Sequence, residues 1–406
     1  MARLRSADRN AIDRDGTVNQ RVFLDNHSTT PVDPAVIDAM MPYQTVYFGN
    51  PGSTHAFGGE ARAAVETARA TIAKSINAHP DEIVFTSGAT ESNNLAIRGV
   101  AERHADRGNH VVTVATEHPS VLEPAQQHPA LQTTIVPVQQ VGSTNVGVVE
   151  VEQFWSSIRD NTILASVMLA NHEIGVIQPV ADLAKACRER GVLFHCDATQ
   201  AVGKTEVDVR QLDIDLMSFS AHKVYGPRGV GALYIRRRPR VRLTPQILGG
   251  GQQRGRRSGT INTPGVVGFA KALELCNANF SDEQSRIREL RDRLWEGLAS
   301  SIPDVELNGP SLDHSNPRLA GNLNILIYGI DSESLMMQIP QIAVSTGSAC
   351  SAENHEPSHV LLATGRSEDE ARSSLRFGVG RFNTMQEIEI AVSQISQAVT
   401  KLRRLA

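Results

Sequence analysis

Short apolar runs alternate with amphipathic ones between residues 82 and 276, and this alternation leaves few folds open. Glu82–Thr86 (EIVFT), His110–Ala115 (HVVTVA), Thr162–Leu169, Val192–Cys196 (VLFHC) and Gly229–Ile235 (GVGALYI) read as strands. Ser92–Ala101, Val180–Arg190 and Val266–Cys276 read as helices, and Gly191 stops the second of these. Gly59–Asn77 adds a helix with Ala64, Ala68, Ile72 and Ile76 at helical spacing. Near-continuous apolar strands separated by helices imply an α/β fold, with a mainly parallel sheet covered on both faces.

The flanking regions read differently. Arg21–Asp25 is a short strand, Asn26–Pro31 a polar turn, and Asp33-Pro34 opens a helix through Met41. Past a domain change near 277–282, Ser281–Ser300 is a long helix with Ile287, Leu290, Leu294 and Leu298 on one face. Strands follow at Leu323–Ile327 and Leu375–Gly378, then a last helix opened by a capping box, Thr384 with Glu387. The expected organisation is a disordered extension over 1–20, a large domain over 30–278, and a smaller α+β domain from 21–29 and 279–406. A chain of 406 residues accommodates two such domains. The formal net charge of −4 provides no global field for nucleic acid or an anionic membrane, so neither is an expected partner. No apolar run is long enough to span a bilayer, and the first 20 residues lack the apolar centre of a signal peptide. Four cysteines without a Cys-x-x-Cys pair indicate neither a disulfide framework nor a metal site, and the expected location is the reducing cytoplasm.

The polar residues with chemical potential gather at strand ends. Ser218-Phe219-Ser220-Ala221-His222-Lys223 follows an apolar approach (Ile214, Leu216, Met217) and precedes the turn Tyr225-Gly226-Pro227-Arg228-Gly229. A lysine held there can form a Schiff base with a bound carbonyl. Hydroxyl and imidazole groups before it suit a phosphate. Together they match the needs of pyridoxal 5′-phosphate, although a lone lysine after a strand is more often a solvated charge. Ser87-Gly88-Ala89-Thr90-Glu91 joins a strand to a helix N-terminus, an anion-binding geometry or an ordinary turn. His118 stands just past a strand end, where it can stack on an aromatic ring or cap a helix. Asp197 ends a strand, placed to keep a pyridine nitrogen protonated or to cap a helix. Arg236–Arg240 reads as a solvated basic turn. The loop Gly249–Thr260 lacks dinucleotide-binding spacing and could reach a phosphate, including that of a second subunit. Cys350 lies in the small, polar loop Val344–Pro357, unlike Cys187, Cys196 and Cys276, which fall in regular elements. An exposed thiol there is either a nucleophile or an inert surface group.

TTPVDP, EIVFTSGATESNNLAI, TEHPSVL, NHEIGV, HCDATQAVGK, DLMSFSAHKVYGPRGVGALY, RSGT, TGSACS and SSLRFGVGRF occur in order between about Val22 and Leu405. With them the chain resembles the cysteine desulfurases, the NifS/IscS-like branch of the pyridoxal phosphate enzymes with the aspartate aminotransferase fold. The resemblance implies fold type I: a seven-stranded, mainly parallel sheet in a large domain beside a smaller α+β domain. It implies that Lys223 carries the cofactor, Asp197 pairs with the pyridine nitrogen, His118 stacks on the ring and shuttles protons, and Gln200 and His172 contact the ring's phenolic oxygen. Ala89, Thr90, Ser220 and His222 would hold the phosphate, with Thr260 reaching in from the other subunit of a homodimer. Arg376 would bind the carboxylate of L-cysteine, with Asn50 near it. Cys350 would take the sulfur as a persulfide, releasing L-alanine, and hand it to an acceptor protein.

Two departures stand out. The family usually has asparagine where this chain has His172. Housekeeping iron–sulfur-assembly members extend past the position of Ala406, which directs attention to acceptors in tRNA thiolation or DNA phosphorothioation beside iron–sulfur cluster assembly. The alternatives are another pyridoxal phosphate aminotransferase or lyase of the same fold, and a non-catalytic sulfur-relay subunit.

Overall fold

The computed structural model describes residues 10–12, 18–313, 317–346 and 356–405. Two short strands, β1 (Asn10–Ile12) and β2 (Val18–Gln20), pair antiparallel ahead of β3 (Val22–Phe23). Helices α1 (Pro34–Met40), α2 (Pro42–Thr45) and α3 (Ala56–Ser75) precede the sheet region. That region runs β4 (Ile83–Thr86), α4 (Ala89–Arg103), β5 (His110–Val114), α5 (Pro119–Gln126), β6 (Gln132–Val136), α6 (Val151–Ser157), β7 (Thr162–Ser166), α7 (Val180–Glu189), β8 (Leu193–Asp197), β9 (Leu216–Ser220), β10 (Gly231–Ile235) and α8 (Thr263–Ala278). The rest comprises α9 (Phe280–Ser301), β11 (Val305–Leu307), β12 (Asn322–Ile327), α10 (Ser332–Gln338), β13 (Ile342–Ala343), α11 (His359–Ala363), α12 (Glu368–Arg372), β14 (Ser374–Gly378) and α13 (Met385–Arg403).

Seven strands form one sheet in the order β4-β10-β9-β8-β7-β5-β6. All neighbours are parallel except β10, which runs antiparallel to both β4 and β9. Successive side chains of these strands enter different cores. Ile83 and Phe85, Val112 and Val114, Met217 and Phe219 pack on one face with α3 and α8 residues such as Ile72 and Phe269. Val84, Val111, Leu216 and Leu233 pack on the other against Leu95, Ile97 and Val100 of α4. Burial on both faces is why these strands read as unbroken apolar runs.

A separate core joins Val22 and Leu24 to Ile287, Leu294, Leu298, Leu323, Ile325, Phe377, Ile388 and Ile395. It lies between α9, α13 and the antiparallel sheet β11-β12-β14. The expected face of α9 is buried there, and Thr384 and Glu387 close the expected capping box on α13. Strand β6 was not expected: it is a sheet edge, half exposed, and its sequence QTTIV is too polar to read as a buried strand. Helix α4 starts three residues earlier than its apolar pattern suggests, at Ala89, because Gly88 turns the chain straight off β4. Among the described residues no helix is long and apolar enough to cross a membrane, and no cluster of three or more His, Cys, Asp or Glu side chains could hold a metal.

Candidate active site

The carboxyl ends of β8 and β9, the start of α4 and the turn after β3 meet around one cavity of about 570 Å³. In open parallel sheets this end is where ligands bind. Strand β8 carries Asp197 to the cavity wall. Its Oδ1 accepts from the Thr199 backbone N–H at 2.9 Å and its Oδ2 from Asn93 Nδ2 at 2.8 Å. Strand β9 ends at Ser220, and one tight turn, Ala221–Lys223, presents the lysine. Lys223 Nζ donates to the carbonyls of His27 (2.7 Å) and Ser28 (2.6 Å).

That turn is held from outside. Tyr225 has φ of +64°, a region disfavoured for a bulky residue. Its backbone N–H donates to Thr30 Oγ1 at 2.8 Å, and its ring lies 4.2 Å under the Arg381 guanidinium, which also binds Asp33 and Glu283. Contacts from the turn after β3, from the cap of α1, from α9 and from the segment after β14 therefore maintain the strained residue two places past the lysine.

Gly88 is the N-cap of α4 and offers no side-chain cap, so the first backbone amides, at Ala89 and Thr90, open onto the cavity. A Cβ on Gly231 would lie 2.7 Å from Gly88 Cα, so only glycine allows β10 this close beneath the cradle. Arg257 pairs twice with Glu91, at 2.8 and 3.1 Å, and neutralises the carboxylate next to this anion site. His222 lines the same end and faces Thr29 Oγ1 at 3.2 Å. Burial, and then the Lys223 charge, push its pKa down to about 4, so it is neutral at physiological pH.

His118 is the N-cap of α5, its Nδ1 accepting from the Ser120 backbone N–H at 3.1 Å. Capping and placement on the cavity wall, alternatives in the sequence, coincide here. Burial lowers its pKa and Asp197 opposes this. The His172 ring meets His118 edge-on with centroids 5.4 Å apart, and its Nε2 lies 3.5 Å from Glu173 Oε1. Burial holds His172 well below the usual imidazole range, while burial raises Glu173 to about 7 although Ser358 Oγ donates to it at 2.5 Å.

Arg376 on β14 reaches in from the second core. Its Nη2 donates to Asp25 Oδ1 (3.0 Å) and Ser28 Oγ (2.7 Å), its Nη1 to the His172 carbonyl (3.3 Å), and its buried Nε has no partner among the described residues. Gln200 lines the cavity, donating to the His27 carbonyl at 2.9 Å and accepting from Lys204 at 2.7 Å.

The cavity thus brings together Ala89, Thr90, His118, His172, Asp197, Gln200, Ser220, His222, Lys223 and Arg376 of the residues singled out from sequence. Asn50 and Thr260 do not line it. They line another cavity, of about 280 Å³, with Arg62, Arg69, Arg254 and Arg256. Cys350 lies outside the described residues. The described positions on either side of that segment are both tied to the site: Ser345 exchanges backbone hydrogen bonds with Arg376, and Ser358 binds Glu173. Sequence reading missed Asn93, Ser120, Glu173 and Arg228. Asn93 left one signal, a polar side chain at helical spacing from the buried Ala96, Ile97 and Val100 of α4.

The donor set suits pyridoxal phosphate. A carboxylate sits deep in the cavity, an amine stands on its wall, and uncapped amides with a neutral imidazole and hydroxyls form the anion end. Comparison with known proteins agrees. The aminotransferase class-V family model matches residues 22–390. The chain belongs to the class-V aminotransferase family. It is 48% identical over 395 residues to a cysteine desulfurase IscS of Methylobacillus flagellatus, covering 96% of this chain and 95% of that one. A solved structure described as a NifS-like protein superposes with a TM-score of 0.86 at 35% identity, covering 94% of this chain and 99% of the other. Another, described as SspA in complex with cysteine, does so at 0.76 and 33%, covering 89% and 100%.

Proposed function

We infer that this chain is a pyridoxal phosphate-dependent cysteine desulfurase, acting on L-cysteine. The observation that carries the reading is the meeting of Lys223, Asp197, His118 and Arg376 around one cavity, in a member of this family that is 48% identical to a protein named a cysteine desulfurase.

Bound there, pyridoxal phosphate supplies a carbonyl for the substrate amine and a ring that draws electrons from the substrate's α-carbon. Asp197 favours the protonated pyridine nitrogen by its opposite charge. The α4 amides at Ala89 and Thr90, with Ser220 and neutral His222, would hold the phosphate. Gln200 and His172 would hold the ring's phenolic oxygen, and His118 would stack on the ring. Arg376 binds the substrate carboxylate, oriented beforehand by Asp25 and Ser28. Lys223 would hold the cofactor, and its amine, once free, would take the α-proton and later return it. The Cys350 thiolate attacks the substrate sulfur: the C–S bond breaks, an S–S bond forms, and the substrate carbon takes a proton to give L-alanine. The persulfide on Cys350 then passes to an acceptor protein.

Thr260 lines the arginine-rich cavity and not the one around Lys223, which fits a homodimer in which it reaches the other subunit's phosphate; Asn50 would lie near the substrate carboxylate. The cores on the two faces of the seven-stranded sheet support a large domain over 30–278, and the separate core supports a small one from 21–29 and 279–406. The free, buried thiols of Cys187, Cys196 and Cys276 suit a reducing compartment, the cytoplasm.

The test is to give the pyridoxal phosphate-loaded protein L-cysteine and a thiol reductant and to measure alanine and sulfide, beside Cys350→Ser. Equal amounts of both products, abolished in the variant, are expected. A keto acid product would replace the reading with an aminotransferase, and full activity in Cys350→Ser would mean that Cys350 is not the sulfur carrier.

A further inference from the structure

Two residues that sequence reading passed over, Asn93 on α4 and Ser120 on α5, lie between the two groups proposed to flank the cofactor ring. Asn93 is fully buried and Ser120 and Asp197 are nearly so. The directions of the hydrogen bonds between them follow from chemistry. The Asp197 carboxylate only accepts, so the Asn93 group 2.8 Å from its Oδ2 is the amide nitrogen. The same nitrogen lies 2.9 Å from Ser120 Oγ and donates its second proton there. Ser120 Oγ lies 2.8 Å from His118 Nδ1 and donates its proton there, because the Ser120 backbone N–H already makes Nδ1 an acceptor. The Ser120 backbone N–H also points at Nδ1, from 3.1 Å. Nδ1 thus faces two donors, and the neutral ring carries its proton on Nε2. The arrangement has a cost: Asn93 Oδ1 is buried without a partner among the described residues.

We propose that Asn93 and Ser120 are positioning residues, a one-directional hydrogen-bond relay from the Asp197 side that fixes the tautomer and ring plane of His118. The relay rests on the reading of His118 as the ring-stacking group, but the tautomer does not depend on the activity. Protonating the ring requires a hydrogen on Nδ1, which would meet both Ser120 donors. The relay therefore keeps His118 neutral, in the same direction as its burial. The other titratable groups around the ring are Asp197, Lys223, His172, His359 and Glu123. Asp197 and Glu123 favour the imidazolium, and Lys223 and His359 oppose it.

The experiment is nitrogen-15 NMR of the full chain labelled at histidine, without added cofactor and again loaded. His118 is assigned by the signals lost in His118→Gln. Wild type is expected to show an unprotonated, pyridine-type Nδ1 and a protonated Nε2 at neutral pH. Ser120→Ala removes one of the two donors and should raise the His118 pKa by about one unit, a tenfold gain in proton affinity. It should also admit the Nδ1–H tautomer. Ser120→Thr, which keeps the hydroxyl, should restore the wild-type pattern. A protonated Nδ1 in neutral wild type would overturn the proposal whether or not any variant folds. A folded Ser120→Ala with wild-type shifts and pKa would overturn it equally. Loss of desulfurase activity from other causes would leave these shifts unchanged, so failure of the relay and failure of the functional reading are told apart.

Discussion

Glu173 should make the protein's stability depend on pH in a way that one substitution removes. Its carboxyl is buried, faces His172 Nε2 and accepts from Ser358. Burial raises its pKa from about 4.5 to about 7, the Ser358 bond and Arg376 only partly offsetting this. Between those two values the unfolded chain has released the proton and the folded chain retains it. Stability then falls as pH rises through that window and levels off above about 7. The gap is about 2.5 units, and each unit corresponds to ~1.36 kcal/mol, so the loss is about 3 kcal/mol. Glu173→Gln keeps an acceptor for Ser358 and cannot ionise. The assay is urea unfolding of wild type and variant at pH 5 and pH 8. With a slope of about 3 kcal/mol per molar, the wild-type midpoint should fall by up to about 1 M more than the variant's. Other buried groups titrate in both proteins and cancel in the difference. Parallel midpoints at the two pH values would refute the reasoning, because they would mean that Glu173 ionises in the folded chain as easily as in water.

Two further outcomes follow from geometry. Arg376→Lys replaces a forked guanidinium by a single ammonium that cannot serve Asp25, Ser28 and a substrate carboxylate together. It should raise KM for L-cysteine about tenfold or more, and Arg376→Ala, which strands Asp25, should destabilise by about 3–5 kcal/mol in thermal or urea unfolding. Gly231→Ala forces a Cβ to within 2.7 Å of Gly88 Cα and 2.8 Å of the Phe219 carbonyl. It should cost about 1–3 kcal/mol and weaken pyridoxal phosphate binding, measured by titration of the cofactor's absorbance.

The sequence alone determined the elements whose signal is local. Strands buried on both faces leave apolar runs, and β4, β5, β8 and β10 were read from theirs. The buried stripe of α9 and the Thr384–Glu387 box of α13 are likewise short-range patterns. The strand-end positions of Asp197 and Lys223 were readable because a polar residue after an apolar run stands out, and family motifs supplied their roles. Tertiary structure decided the rest. Nothing near position 231 says that β10 runs antiparallel, since direction depends on which distant strands it pairs with. Edge strand β6 lacks the apolar run because only part of it is buried. Arg376 and Lys223 lie 153 positions apart in the chain, yet both line the same cavity. The bonds of Asn93 to Asp197 and Ser120, and of Glu173 to Ser358, span 104, 27 and 185 positions. A hydrogen bond between side chains so far apart leaves no periodic trace in a single sequence. It exists only once packing of the helices on the sheet has set the distance, and that distance determines which polar residues bond to one another and which protonation states they adopt.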